Sequence, residues 1–165
     1  MKNTIKILVF LISLIGYGQQ SDFKSAWLEK WEHSKDYLIA FAEAMPEEFY
    51  DYKPTEGQMT FEEQLLHIDG NITWLGTSYF NLIDEPVPEL NTKKDIIKKL
   101  KADFDKVSKA ISQIEDFSED VRFFAGAKSK LQILNLLQDH VTHHRGQLVV
   151  YFNLKGIKPP KYVGW

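Results

Sequence analysis

Four stretches of this sequence repeat apolar residues at a spacing of about 3.6, and three of them run into proline or glycine. Such a stretch forms a helix with one face that must be buried against a neighbour, which leaves few folds open. The first runs from about Ser21 to Met45, with Phe23, Trp27, Trp31, Leu38, Phe41 and Ala42 as its stripe. Ser21 or Asp22 supplies its cap, and Pro46 ends it. Thr60 opens the second, with Glu63 completing a capping box, and Phe61, Leu65, Ile68, Ile72, Leu75, Tyr79 and Leu82 on its apolar face. The third begins near Thr92 and places Ile96, Ile97, Leu100, Phe104, Val107, Ile111 and Ile114 on one side. The fourth spans about Ser129 to Leu154 and stops at Gly156, with prolines just beyond.

The connections read as loops. "EEFYDYKPTEGQMT" carries Pro54 and Gly57, "DEPVPEL" carries two prolines, and "EDFSEDVRFFAGAKSK" is a longer link. "KPPKYVGW" closes the chain as an extended tail. No segment reads as a β-strand, an internal repeat or a second domain, and 165 residues suit one domain. The expectation is an all-α protein, an antiparallel four-helix bundle, with ligand sites built from side chains on facing helices.

The N-terminus is expected to lie outside that fold. "MKNTIKILVFLISLIGYGQQ" begins with Lys2 and Lys6, continues with an apolar run over Ile7 to Ile15, and reaches Gly16-Tyr17-Gly18. A membrane anchor needs about 20 apolar residues, and this run is far shorter. Residues 1–18 therefore read as a signal peptide, and 19–165 as the mature domain. Losing Lys2 and Lys6 moves the net charge from −3 to −5. The mature chain is expected outside the cytoplasm, in a periplasm, with no stable membrane anchor after cleavage. No basic patch stands out, which argues against a nucleic-acid partner. The lysines of "KKDIIKKLKADFDK" alternate with aspartates over a core stripe and read as a solvated helix face. There are no cysteines, which excludes disulfides, thiolate nucleophiles, cysteine metal ligands and a lipid anchor through cysteine.

Within "DHVTHHRGQLVVYFNLKGIKPP", three of the five histidines fall in five residues. His140 and His144 are one helical turn apart and continue the stripe of Ile133 and Leu137 towards Leu148 and Tyr151. Two neutral imidazoles so spaced can hold a divalent metal, and they can equally be two ordinary core histidines. His143 sits off that face, beside the site or on the surface. His67, midway along the second helix, shares its face with Gln64, Asn71 and Trp74, polar company for a core position. Such groups could orient a metal-bound imidazole, or His67 could be a core histidine satisfied by one hydrogen bond. His33, among Glu32, Ser34 and Lys35, reads as half-exposed surface. Arg145 is an anion binder or a solvated arginine, and Gly146 suggests a close approach by another helix.

Two segments resemble the DinB-like family. "YKPTEGQMTFEEQLLHI" is similar to the family's passage from loop to second helix, which ends in a histidine ligand. "HVTHHRGQLVVYFNLKGIKPP" is similar to its last helix, including the "THHRGQ" core and the "G-x-KPP" exit. The resemblance covers nearly all of the mature chain. It implies a bundle with up-down-down-up connectivity, often dimeric, and a three-histidine site for one divalent metal ion (zinc, nickel or iron) at His67, His140 and His144. It also implies a range of chemistries: thiol-dependent S-transfer, isomerisation with low-molecular-weight thiols, and metal-dependent hydrolysis. An oxidising compartment is poor in such thiols.

Three functions remain open from these residues. Three protein ligands leave a coordination position free, as in a catalytic site acting hydrolytically on a small substrate. The same cluster could hold a metal or small ligand without turnover. It could also tie two helices together. No general base is evident, since Gln64 and Asn71 cannot accept a proton in that role and His143 stands off the face.

Overall fold

The computed structural model describes residues 23–83, 85–86 and 89–163. The expected signal peptide (1–18) and the caps Ser21 and Asp22 lie outside the described residues. Four helices form the body: α1 (Lys2–Ala44, of which the part from Phe23 on is described), α2 (Phe61–Tyr79), α3 (Lys93–Ser112) and α4 (Lys130–Leu154). A short 3-10 turn, Glu47–Phe49, follows α1. Among the described residues, no helix is long and apolar enough to cross a membrane.

The helix starts follow the local chemistry read above. Thr60 accepts from the Glu63 N–H at 3.1 Å, and the Glu63 carboxylate accepts from the Thr60 N–H at 2.7 Å. Thr92 caps α3, and Ser129 with Gln132 forms a second capping box at α4. Left-handed residues mark the ends of α2 and α4. Gly156 (φ 68°) stops α4, and the Ile157 N–H turns back to the Phe152 carbonyl at 2.9 Å. The apolar stripe of α2 reaches Leu82, but its helix stops at Tyr79. Asn81 adopts φ 58°, which turns the chain so that the Leu82 N–H meets the Gly76 carbonyl at 3.1 Å.

The contacts between helices fix their directions. Lys24 near the described start of α1 donates to the Ile114 carbonyl beyond the end of α3, at 2.9 Å. At the other end, Lys93 donates to the carbonyls of Glu43 and Met45, each at 2.7 Å. α1 and α3 are therefore antiparallel. Gln64 faces Gln147 and His67 faces His140, so α2 and α4 are antiparallel as well. Gln138 meets Ser34, and Phe152 meets Phe41, which makes α1 and α4 parallel. The bundle is up-down-down-up.

Aromatic residues fill its centre. Trp31, Phe41, Phe61, Phe104 and Phe152 are all fully buried. Trp31 packs on Phe104 with ring centroids 4.4 Å apart and donates its indole N–H to the Phe104 carbonyl at 3.1 Å. Each side chain of this kind contributes about 1.5–3 kcal/mol by leaving water. Aliphatic side chains from all four helices, such as Leu38, Leu65, Leu100 and Leu137, complete the core.

Two expectations need correction here. The link between α3 and α4 contains strands: β1 (Asp120–Phe123) pairs antiparallel with β2 (Gly126–Ser129), joined by Phe124 and Ala125. Val121 and Phe123 turn one side of β1 toward the bundle, and β2 ends on the residue that caps α4. The lysines of α3 are also not uniformly solvated. Lys99 is mostly buried and pairs with Asp69 of α2 and with Asp103, the latter at 2.5 Å. A cation between two buried carboxylates bridges α2 and α3.

Candidate metal centre

The antiparallel pairing of α2 and α4 brings His67 opposite His140 and His144. One ring nitrogen from each of the three lies within 4.8 Å of the others, and they are the one such group of potential ligands among the described residues. The Nε2 atoms of His67 and His140 are 3.2 Å apart. Two nitrogens bound tetrahedrally at about 2.0–2.1 Å from one ion would stand about 3.3 Å apart. The donor set, the separation and the absence of a carboxylate among the three all fit a divalent ion that prefers imidazole.

Exposure is graded across the cluster: His67 is exposed, His140 half-buried and His144 buried. The site thus sits at the rim of the bundle with one side facing solvent. Burial, reinforced by the neighbouring imidazoles, pushes the pKa of both His140 and His144 down to about 4. Both rings are neutral at pH 7, the form that binds metal.

A hydrogen-bond chain backs His144. Its Nδ1 stands 2.8 Å from Gln64 Oε1; an amide oxygen only accepts, so Nδ1 carries the proton and Nε2 is left with its lone pair. Gln64 Nε2 donates to Gln147 Oε1 at 2.8 Å, and Gln147 Nε2 donates to His143 Nε2 at 2.9 Å. His143 is exposed, and the structure places it at the outer end of this chain. By contrast, His140 Nδ1 is buried with no hydrogen-bond partner.

The other expected residues divide. Gln64 is buried in contact with His144. Asn71 lies one turn beyond His67; its Oδ1 is buried without a partner, and no hydrogen bond joins it to the histidines. Trp74, further along the same face, is 43% exposed and leans on Phe123 of the hairpin. His33 is half-buried on α1, outside the cluster. Arg145 is not the solvated arginine expected. It is 5% exposed, points to the α1 side, and its guanidinium lies over the Tyr37 ring, 4.9 Å from the centroid. Gly146 is exposed and a Cβ there would meet nothing within 4 Å, so no helix approaches it closely.

Gln147 and Tyr151 are the participants that the sequence reading passed over. Gln147 had no assigned role, and Tyr151 counted only as stripe. Both follow His144 at helical spacing, three and seven residues on, and a polar atom repeated on that face was the available signal.

The sequence profile of the DinB family matches residues 19–164. No curated protein matches the chain. Among solved structures, the fold is similar to a DinB-like protein from Bacillus subtilis, with a TM-score of 0.70 at 22% identity over 83% of this chain and 96% of that one. It is similar also to a DinB-like protein from Bacillus cereus, with a TM-score of 0.73 at 20% identity over 84% and 97% of the two chains.

Proposed function

From the premise that the chain belongs to the DinB family, we propose that it is a metal-dependent enzyme acting hydrolytically on a small substrate. One observation carries this reading. Three imidazoles converge within 4.8 Å, and the cluster runs from a buried His144 to an exposed His67. Three protein ligands with an open side are the arrangement of a catalytic centre, whereas a purely structural ion is enclosed by four.

When bound, a divalent ion supplies Lewis acidity and lowers the pKa of a coordinated water to about 7. The protein's part is to hold His67, His140 and His144 as neutral ligands and to leave the solvent side accessible. Gln64 keeps the proton of His144 on Nδ1. The pattern of residues 1–18 supports a secreted mature protein beginning near Gln19, and an intact mass that retained those residues would count against secretion.

Elemental analysis of the purified mature protein, followed by a screen of esters, amides and thiol substrates, tests the proposal. The expected result is stoichiometric metal and turnover that a chelator abolishes and that His140→Ala lacks. A fully loaded protein that turns over none of these substrates would favour a bundle that holds metal or a small ligand without catalysis. Activity confined to thiols would move the reading to S-transfer.

A further inference from the structure

The amide of Gln64 could satisfy its neighbours in two orientations. In the first, Oε1 accepts from His144 Nδ1, Nε2 donates to Gln147, and Gln147 donates to His143. In the second, both glutamine amides are reversed. His143 would then donate to Gln147, Gln147 to Gln64, and Gln64 to a bare His144 Nδ1. The His144 proton would move to Nε2, and that nitrogen could no longer bind a metal. The two arrangements contain equal numbers of hydrogen bonds along this chain. His143, at its outer end, is exposed and can adopt either tautomer against water.

The choice is made at the buried end. Tyr151 is 2% exposed, and its hydroxyl donates to the Met59 carbonyl at 2.5 Å. With its single proton committed there, the Tyr151 oxygen can only accept from its other neighbour. That neighbour is Gln64 Nε2, at 3.4 Å. Reversal of the amide would press Gln64 Oε1 against the lone pairs of the Tyr151 oxygen, where both residues are too buried for water to intervene. The Met59 carbonyl is itself held in place. Thr60, the next residue, caps α2, and the Phe61 N–H binds the Tyr52 carbonyl at 2.9 Å. The Tyr151 ring packs against Phe61 and Tyr52.

We propose that Tyr151, anchored on the Met59 carbonyl, is a positioning residue that orients the Gln64 amide and so fixes His144 with its proton on Nδ1 and Nε2 free for metal. The inference rests on the metal-site reading, but it can be tested apart from it, because the tautomer is a property of the metal-free protein.

The experiment is nitrogen-15 NMR of the histidine side chains in metal-free full-length mature protein, combined with zinc titration. In the wild type His144 is expected to carry its proton on Nδ1 alone. Tyr151→Phe preserves shape while removing the acceptor, and it should populate the Nε2–H form of His144 and weaken zinc binding about tenfold, the lower end of what outer hydrogen-bond partners contribute. Gln64→Glu presents only acceptors to His144 and should keep the proton on Nδ1. A wild-type His144 protonated on Nε2, or a Tyr151→Phe spectrum with the wild-type tautomer, would overturn the inference. If the wild type fails to bind zinc while the tautomer pattern follows expectation, the metal reading fails and the role of Tyr151 stands.

Discussion

His140 and His144 lie in surroundings that favour the uncharged ring, and the consequence is a specific pH dependence. A histidine in the unfolded chain titrates near 6.5, whereas both are pushed down to about 4 in the fold. Between those values the unfolded chain binds protons that the folded chain refuses. The stability of the metal-free protein should therefore fall as pH drops from about 6.5 and level off, for these two groups, below about 4. Urea midpoints at pH 7 and pH 4.5 read this directly. The wild type is expected to lose more than a His140→Gln/His144→Gln variant, which has no such groups to titrate; an equal loss in both would contradict the assignment. At this scale the sequence was informative about identity but not about environment. Spacing placed His140 and His144 on one face, yet nothing in it showed that His144 is buried while His67 is exposed. Arg145 makes the same point from the other side. Its burial against Tyr37 depends on where α1 runs, which no local pattern encodes.

Single elements were legible where local chemistry decides and obscure where tertiary contacts do. The capping box at Thr60 and the stop at Gly156 are local, and they were read correctly; the box that Ser129 forms with Gln132 is equally local, but only the helix start near Ser129 was read. The hairpin was missed because its strands have only four residues each and are joined by Phe124-Ala125 rather than by an asparagine–glycine turn. Lys99 was read as solvated because an alternating charge pattern is usually surface. Its partner Asp69 comes from another helix, 30 residues away in sequence. Burial pushes the Asp69 carboxyl up to about 6 against the pull of Lys99. Replacing Lys99 by methionine would leave Asp69 at 3% exposure without a counter-charge, while Asp103 keeps Lys106 at 3.0 Å. Chemical denaturation of Lys99→Met should show a loss of roughly 3 kcal/mol, the scale of a broken buried pair. Adding Asp69→Asn should recover most of it. A single variant as stable as wild type would mean that the pair carries no structural weight.

For the molecule as a whole, the aromatic core and the metal centre are separate constructions. Trp31 packs on Phe104 and Phe41 on Phe152, contacts that need no histidine of the cluster, whereas the candidate site runs out to an exposed His67. Removing metal with a chelator should therefore leave the helical circular dichroism nearly unchanged, whereas collapse of that signal and its return on adding metal would promote a structural role for the ion. Helix number followed from the apolar periodicity, but the order of neighbours did not. Which helix lies beside which became clear only from contacts such as Lys93 with Met45 and Gln138 with Ser34, although the family resemblance implied it. This order sets α2 against α4 so that His67 meets His140 and His144, the cluster proposed to hold one ion. Calorimetric titration of the metal-free protein with zinc tests that proposal most directly. The account predicts one ion per chain, a loss of more than about 100-fold in affinity for His67→Ala, beyond the effect of an outer partner, and no change for His33→Ala. Wild-type affinity in His67→Ala, or the lack of stoichiometric binding in the intact protein, would contradict it.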